Sequence, residues 1–143
     1  LYRPMGMTIA VLIVVSSALA SAMLDAKLDF NRIRNGEHID HAGGLIERVV
    51  LGLLIVATVW SVLWHTGHHW SIIFPMMGLW WATFTIVFRL RLNTLRGLDP
   101  TYVSLSNTYD SVFILLFSHR AGAAAYTFEG TVLAICSLWA FRI

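Results

Sequence analysis

The sequence predicts an all-α integral membrane bundle of four transmembrane helices, three at the fewest, with an interfacial segment. Three observations predict it. Hydrophobic residues make up 57% of the chain and charged residues only 13%, with a mean hydropathy of +0.70. Soluble domains lie nearer half apolar and a quarter charged. Uncharged runs of membrane-crossing length recur along the chain. The charges collect between those runs, in polar stretches over residues 25–44 and 89–111. A length of 143 residues supports a single domain. Ten basic and eight acidic residues are few to coat a soluble surface of that size.

The first span covers residues 5–24, a run with no charge. About twenty helical residues cross the hydrocarbon core. Arg3, the apolar run and the small residues Ala18 to Ala22 also fit a secretory signal peptide. The run is read as a retained transmembrane helix, and the lack of an initial Met points to processing or to a start further upstream. From Asp25 to Arg48, eleven of twenty-four residues are titratable. That stretch predicts a polar loop or an interfacial helix, broken near Asn35-Gly36 and again at Gly43-Gly44.

The second span covers 45–64, with Arg48 snorkelling at its start. Trp60, Trp64 and Trp70 form an aromatic belt at its far end. The link His65-Thr66-Gly67-His68-His69 is short, so spans two and three form an antiparallel hairpin. The third span covers 70–88, and Pro75 either kinks it or marks a late start. Trp80 and Trp81 fall mid-span, where they face other helices or bound lipid. Gly97, followed by Pro100, marks the helix stop. Ser111 to Phe117 predicts a short interfacial helix, and the fourth span covers 123–141. Gly122 to Ala125 suit close helix contact. The alternative is three spans and a C-terminal hairpin lying on the membrane.

Orientation follows from counting Lys and Arg. Lys27, Arg32, Arg34, Arg48, Arg89, Arg91, Arg96 and Arg120 fall on one side, and Arg3 and Arg142 on the other. The long loops are therefore expected in the cytoplasm, with the histidine turn and both termini outside. A bacterial cytoplasmic or phage-derived membrane fits this reading.

Several function classes drop out. The net charge of +2 and the lack of a dense basic run argue against nucleic acid as a partner. Cys136 is the one cysteine, so no internal disulfide and no cysteine metal cluster can form. No phosphate loop, nucleophile elbow, zincin motif or haem CxxCH occurs.

The histidines are the first candidates for chemistry. His65-Thr66-Gly67-His68-His69 resembles the HxxHH box of membrane di-iron desaturases and hydroxylases, and His38-Ile39-Asp40-His41 adds an HxxH. Those families use about eight histidines in longer chains, against six here. His41 and His65 stand 24 positions apart across the second span, roughly 35 Å along a helix, too far to share one iron centre. A smaller site remains open: if the turn is helical, His65, His68 and His69 share one face and suit Zn²⁺ or Cu²⁺. Interfacial histidines with no ligand explain the same pattern.

Glu129 is the one charge between Ala121 and Phe141. A charge within a span is costly, so it marks a proton path or a pairing with an arginine, unless the fourth span starts later and leaves it at the interface. Leu92-Asn93, Arg96-Gly97, Tyr102 and Asn107 to Asp110, with Ile39-Asp40-His41 and Arg48, form a pattern similar to that of small uncharacterised polytopic membrane proteins of bacteria and phages. The resemblance implies one structural polar cluster of His41, Arg48, Asn93, Arg96 and Asp110. Such a cluster locks helix ends.

Together these features favour a non-enzymatic membrane component, an accessory or structural subunit of a larger assembly. Its expected partners are the bilayer, bound lipid, and other membrane subunits or further copies of itself. The alternatives are a metal or cofactor protein built on the histidine turn, and a small transporter, pore or holin-like protein using Glu129.

Overall fold

The structure, a computed structural model, describes residues 2–65, 67, 69–104 and 108–142, with the backbone alone at 2–4, 41–42 and 108. Among these residues the chain forms helices α1 Tyr2–Arg34, α2 His41–Trp64, α3 Ile73–Leu95, α4 Thr108–Phe117 and α5 Ala121–Arg142. It is an all-α bundle. The stretches Met5–Arg34, Gly43–Trp64, Trp70–Leu95 and Tyr109–Arg142 are long and apolar enough to cross a membrane.

Helix α1 runs ten residues past its apolar stretch. No helix breaker stands between Leu24 and Asn35, so residues 25–34 continue the helix where a loop or a separate segment is expected. Gly36 ends it with a positive φ of 70°. The Gly36 amide donates to the Ile33 carbonyl and the Glu37 amide to the Arg32 carbonyl, which closes a Schellman turn. The second expected break, at Gly43-Gly44, lies inside α2. Asp40 precedes that helix and its Oδ1 accepts from the Gly43 amide at 3.0 Å, so the glycines occupy a capped first turn.

Pro75 marks a late start. It sits in the first turn of α3, where no hydrogen bond to a preceding turn is lost, after a single 3-10 turn over Trp70–Ile72. At the far end the Leu98 amide bonds to the Asn93 carbonyl and the Gly97 amide to the Thr94 carbonyl. Gly97, with φ of 67°, is the stop that the sequence marks.

Helix α3 is the axis of the bundle, packed chiefly against α1 and α5 and less extensively against α2. Met7, Ala10, Val14, Ala18, Ala22 and Ala26 are buried and recur at three- and four-residue spacing, a narrow small-residue stripe along α1. Small residues let helix backbones approach where lipid removes the usual hydrophobic drive. Two glycines serve the same purpose. A Cβ on Gly52 of α2 would stand 2.8 Å from the Trp80 ring, and one on Gly78 of α3 would strike Cys136 of α5.

Helices α4 and α5 form a hairpin. Ser118 takes a positive φ of 49° within the 3-10 turn Ser118–Arg120. The Tyr109 hydroxyl then meets Glu129, twenty positions on, at 3.1 Å. An unbroken helix would hold those residues about 30 Å apart. The crossing length in this part of the chain therefore belongs to α5, whose 22 residues match the twenty or so that a bilayer needs.

Candidate functional site

Two arginine–carboxylate knots lie at one end of the bundle, on two sides of α3. The first is built on Arg48, in the second turn of α2. Its Nε donates to Asp25 Oδ2 at 2.9 Å and its Nη2 to Asp29 Oδ2 at 3.1 Å. Asp25 and Asp29 are four apart on α1, hence on one face, at the end of the alanine stripe. The guanidinium also lies over Phe88 and Phe84 of α3, at 4.5 and 5.4 Å from the ring centroids. Arg32 adds a looser contact to Asp29 at 3.7 Å.

The second knot is more enclosed. Arg89 of α3 donates from Nη1 to Glu129 Oε2 at 2.8 Å and from Nη2 to Asp110 Oδ1 at 3.0 Å. The Arg89 side chain is 8% exposed and that of Glu129 is 0%. The remaining carboxylate oxygens are also engaged: Glu129 Oε1 accepts from the Tyr109 hydroxyl, and Asp110 Oδ2 from the Ser104 amide at 3.1 Å. The Tyr126 and Tyr109 rings face the guanidinium at 5.2 and 5.9 Å. A buried charge is tolerable only when paired and hydrogen-bonded, and each carboxylate here is both.

The loop after α3 is tied to this knot. One turn beyond Arg89, Asn93 Nδ2 donates to the carbonyls of Pro100 at 3.1 Å and Tyr102 at 2.9 Å. The Tyr126 hydroxyl donates to the same Pro100 carbonyl at 2.8 Å. Gly122 abuts the Thr101 carbonyl so closely that any Cβ would collide with it. At the loop entrance the Thr101 hydroxyl and amide donate to Asp99 Oδ1 at 2.5 and 2.7 Å, which holds that carboxyl below its ordinary pKa.

The polar residues grouped by resemblance thus divide between sites. Arg48 belongs to the α1–α2 knot and Asp110 to the α3–α4–α5 knot. Asn93 binds loop carbonyls beside the second knot. Arg96 is exposed, with its guanidinium 5.7 Å from the Tyr102 ring. His41 lies in the first turn of α2, and its side chain, like Asn107 as a whole, is outside the described residues. Glu129 meets an arginine, and that partner is Arg89.

The histidine turn lies at the opposite end. His65 is exposed at the end of α2. His69 Nδ1 accepts from the Ser71 amide at 3.3 Å, which caps the turn leading into α3, and its ring lies tilted at 43° to that of Trp70, with centroids 5.4 Å apart. His68 is outside the described residues. Among the described residues, no three His, Cys, Asp or Glu side chains converge as metal ligands.

Asp25, Asp29 and Arg89 were not among the sequence candidates. The four-residue spacing of the two aspartates, in register with Ala18, Ala22 and Ala26, is a readable signal for the first pair. Arg89 carries no such signal, because its partners lie 21 and 40 positions away. Chemically, the two knots are clamps: each ties one guanidinium to two carboxylates and two aromatic rings. Comparisons with protein-family models, with curated proteins and with solved structures find no match to this chain.

Proposed function

We propose that the chain is a non-catalytic membrane subunit, a rigid bilayer element that docks against other membrane proteins or against further copies of itself. The observation that carries this reading is the disposition of its surfaces. The charged groups inside the bundle are turned inward and closed in the two clamps, while α2 and α5 flank the α1–α3 pair with broad apolar faces. Leu51, Leu54 and Val62 on α2 are exposed, as are Ile135, Leu138 and Trp139 on α5. A clamp in which each arginine serves two carboxylates fixes helix ends, as a scaffold requires. The loop end is assigned to the cytoplasm by its eight Lys and Arg residues against two at the other end.

Purification from native membranes in a mild detergent tests the proposal. A stoichiometric partner or a defined homo-oligomer is expected. A chain that runs as a lone monomer, in native mass spectrometry and after cross-linking in the membrane, overturns it.

A second reading, proton or ion movement through Glu129, draws on one feature: two carboxylates share a single buried guanidinium. It predicts flux into liposomes that Glu129→Gln abolishes. Equal flux from the variant, or none from either protein, removes it.

A further inference from the structure

The chain leaves α3 at Gly97 and turns back along it. Asn93 holds the carbonyls of Pro100 and Tyr102, and Arg89, one turn further from the end of α3, holds Asp110. Helix α4 then retraces the path beside α5. Tyr109 sits at Glu129, the Phe113 ring lies 6.0 Å from that of Phe128, and the turn Ser118–Arg120 delivers the chain to Ala121. The chain thus enters through a non-helical stretch, described over 98–104 and turned at Asp99–Tyr102, and exits as a helix, at the same end of the bundle. With ten residues α4 is about 15 Å long, half the thickness of a hydrocarbon core.

The outward face of α4 is apolar. Val112, Leu115 and Leu116 fall at three- and four-residue spacing and are 50%, 85% and 66% exposed. Its inward face carries Tyr109, Asp110 and Phe113, which meet α3 and α5. We propose that α4 is a re-entrant half-helix, and that Val112, Leu115, Leu116 and Phe117 lie among lipid acyl chains.

Three observations identify lipid as the occupant. The face continues into the exposed ring of Phe128 on α5, and the exposed hydroxyls beside it, Thr127 and Thr131, are bonded to carbonyls of their own helix. The hairpin tip is exposed and polar, with His119 and Arg120 placed to meet headgroups where the chain emerges. Non-helical backbone at membrane depth is tolerated only where its polar groups are satisfied within the protein. Asn93, Tyr126 and Asp110 supply that satisfaction to Pro100, Tyr102 and Ser104. The second knot is then the anchor that keeps the half-helix in the bilayer.

This inference rests on the bilayer reading of the bundle, and the test separates the two. Nitroxide labels are placed singly at Leu115→Cys and Leu116→Cys in a Cys136→Ser background. The protein is reconstituted in vesicles of phosphatidylcholine and phosphatidylglycerol. Leu12→Cys, an exposed position midway along the apolar part of α1, serves as the deep lipid-facing control and Arg96→Cys as the aqueous one. Collision with oxygen is compared with collision with a water-soluble nickel chelate. The ratio at Leu115 and Leu116 is expected several-fold above that at Arg96 and below that at Leu12, the signature of a shallow acyl position. A ratio equal to that at Arg96 places α4 in water and overturns the proposal. Shielding from both agents identifies a protein contact and overturns it too. A nickel-accessible label at Leu12 sinks the bilayer reading itself. Both leucines are so exposed that either label leaves the packing intact, and agreement between the two sites guards against a local disturbance.

Discussion

At the scale of single side chains, Arg89 carries the largest consequence. Its removal leaves Glu129 and Asp110 buried without a counter-charge, and breaking a buried pair from one side costs about 3–5 kcal/mol. Arg89→Met is therefore expected to lower the thermal midpoint in detergent sharply. Cys136, the single cysteine, reports unfolding through a thiol-reactive dye during a heat ramp. Glu129→Gln keeps the shape and the Tyr109 contact and costs less. Combining Arg89→Met with Glu129→Gln should cost less than the sum of the two, because one stranded charge has gone with its partner. Strict additivity would show that the pair contributes no coupling. Thr83 offers the opposite sign. Its hydroxyl is buried with no hydrogen-bond partner among the described residues, so Thr83→Val is expected to hold or raise the midpoint, by up to about 1 kcal/mol.

At the scale of elements, helix ends decide where polar groups land. Gly97 adopts a left-handed conformation that costs an L side chain about 1–2 kcal/mol, so Gly97→Ala should destabilise the α3 terminus and the loop that Asn93 holds. Gly130 sits within α5 with no described residue near the position of a Cβ, and Gly130→Ala should stabilise that helix by up to about 1 kcal/mol. Opposite shifts in the same heat ramp check both, and like shifts would refute the assignment. The Gly97 stop is legible in the sequence because glycine and the following proline act locally. The run of α1 through Asp25–Arg34 is not, since its polarity mimics a loop. What stabilises it is Arg48, from another helix, reaching back to Asp25 and Asp29. The hairpin of α4 is hidden for a related reason. Ser118 has no intrinsic preference for its positive φ, and the reversal is held by distant contacts among Tyr109, Glu129 and Arg89. Glu129 itself is legible as a lone charge in an apolar run, whereas its partner is fixed only when α3 and α5 pack.

At the scale of the whole molecule, the bundle separates two ends by charge. The 35–40 connection, the loop after α3 and the α4–α5 turn share one end, and the histidine turn occupies the other. Of the eight basic residues at the first end, Arg48 and Arg89 are closed in clamps. Lys27, Arg32, Arg34, Arg91, Arg96 and Arg120 remain to set orientation, against Arg3 and Arg142. Acidic residues weigh little in this rule, so the aspartates and glutamates at the same end do not cancel the bias. Re-entry of α4 matters to the count, because it returns Arg120 to the loop end. Single cysteines at Arg96 and at His65, in the Cys136→Ser background, read the orientation directly. In bacterial cells an impermeant maleimide should label the His65 position from outside and the Arg96 position only after permeabilisation. Reversed labelling would place the loops outside and remove the charge argument. Labelling of both positions from outside would mean that α2 and α3 do not form a membrane hairpin, and the four-helix crossing would fail with it.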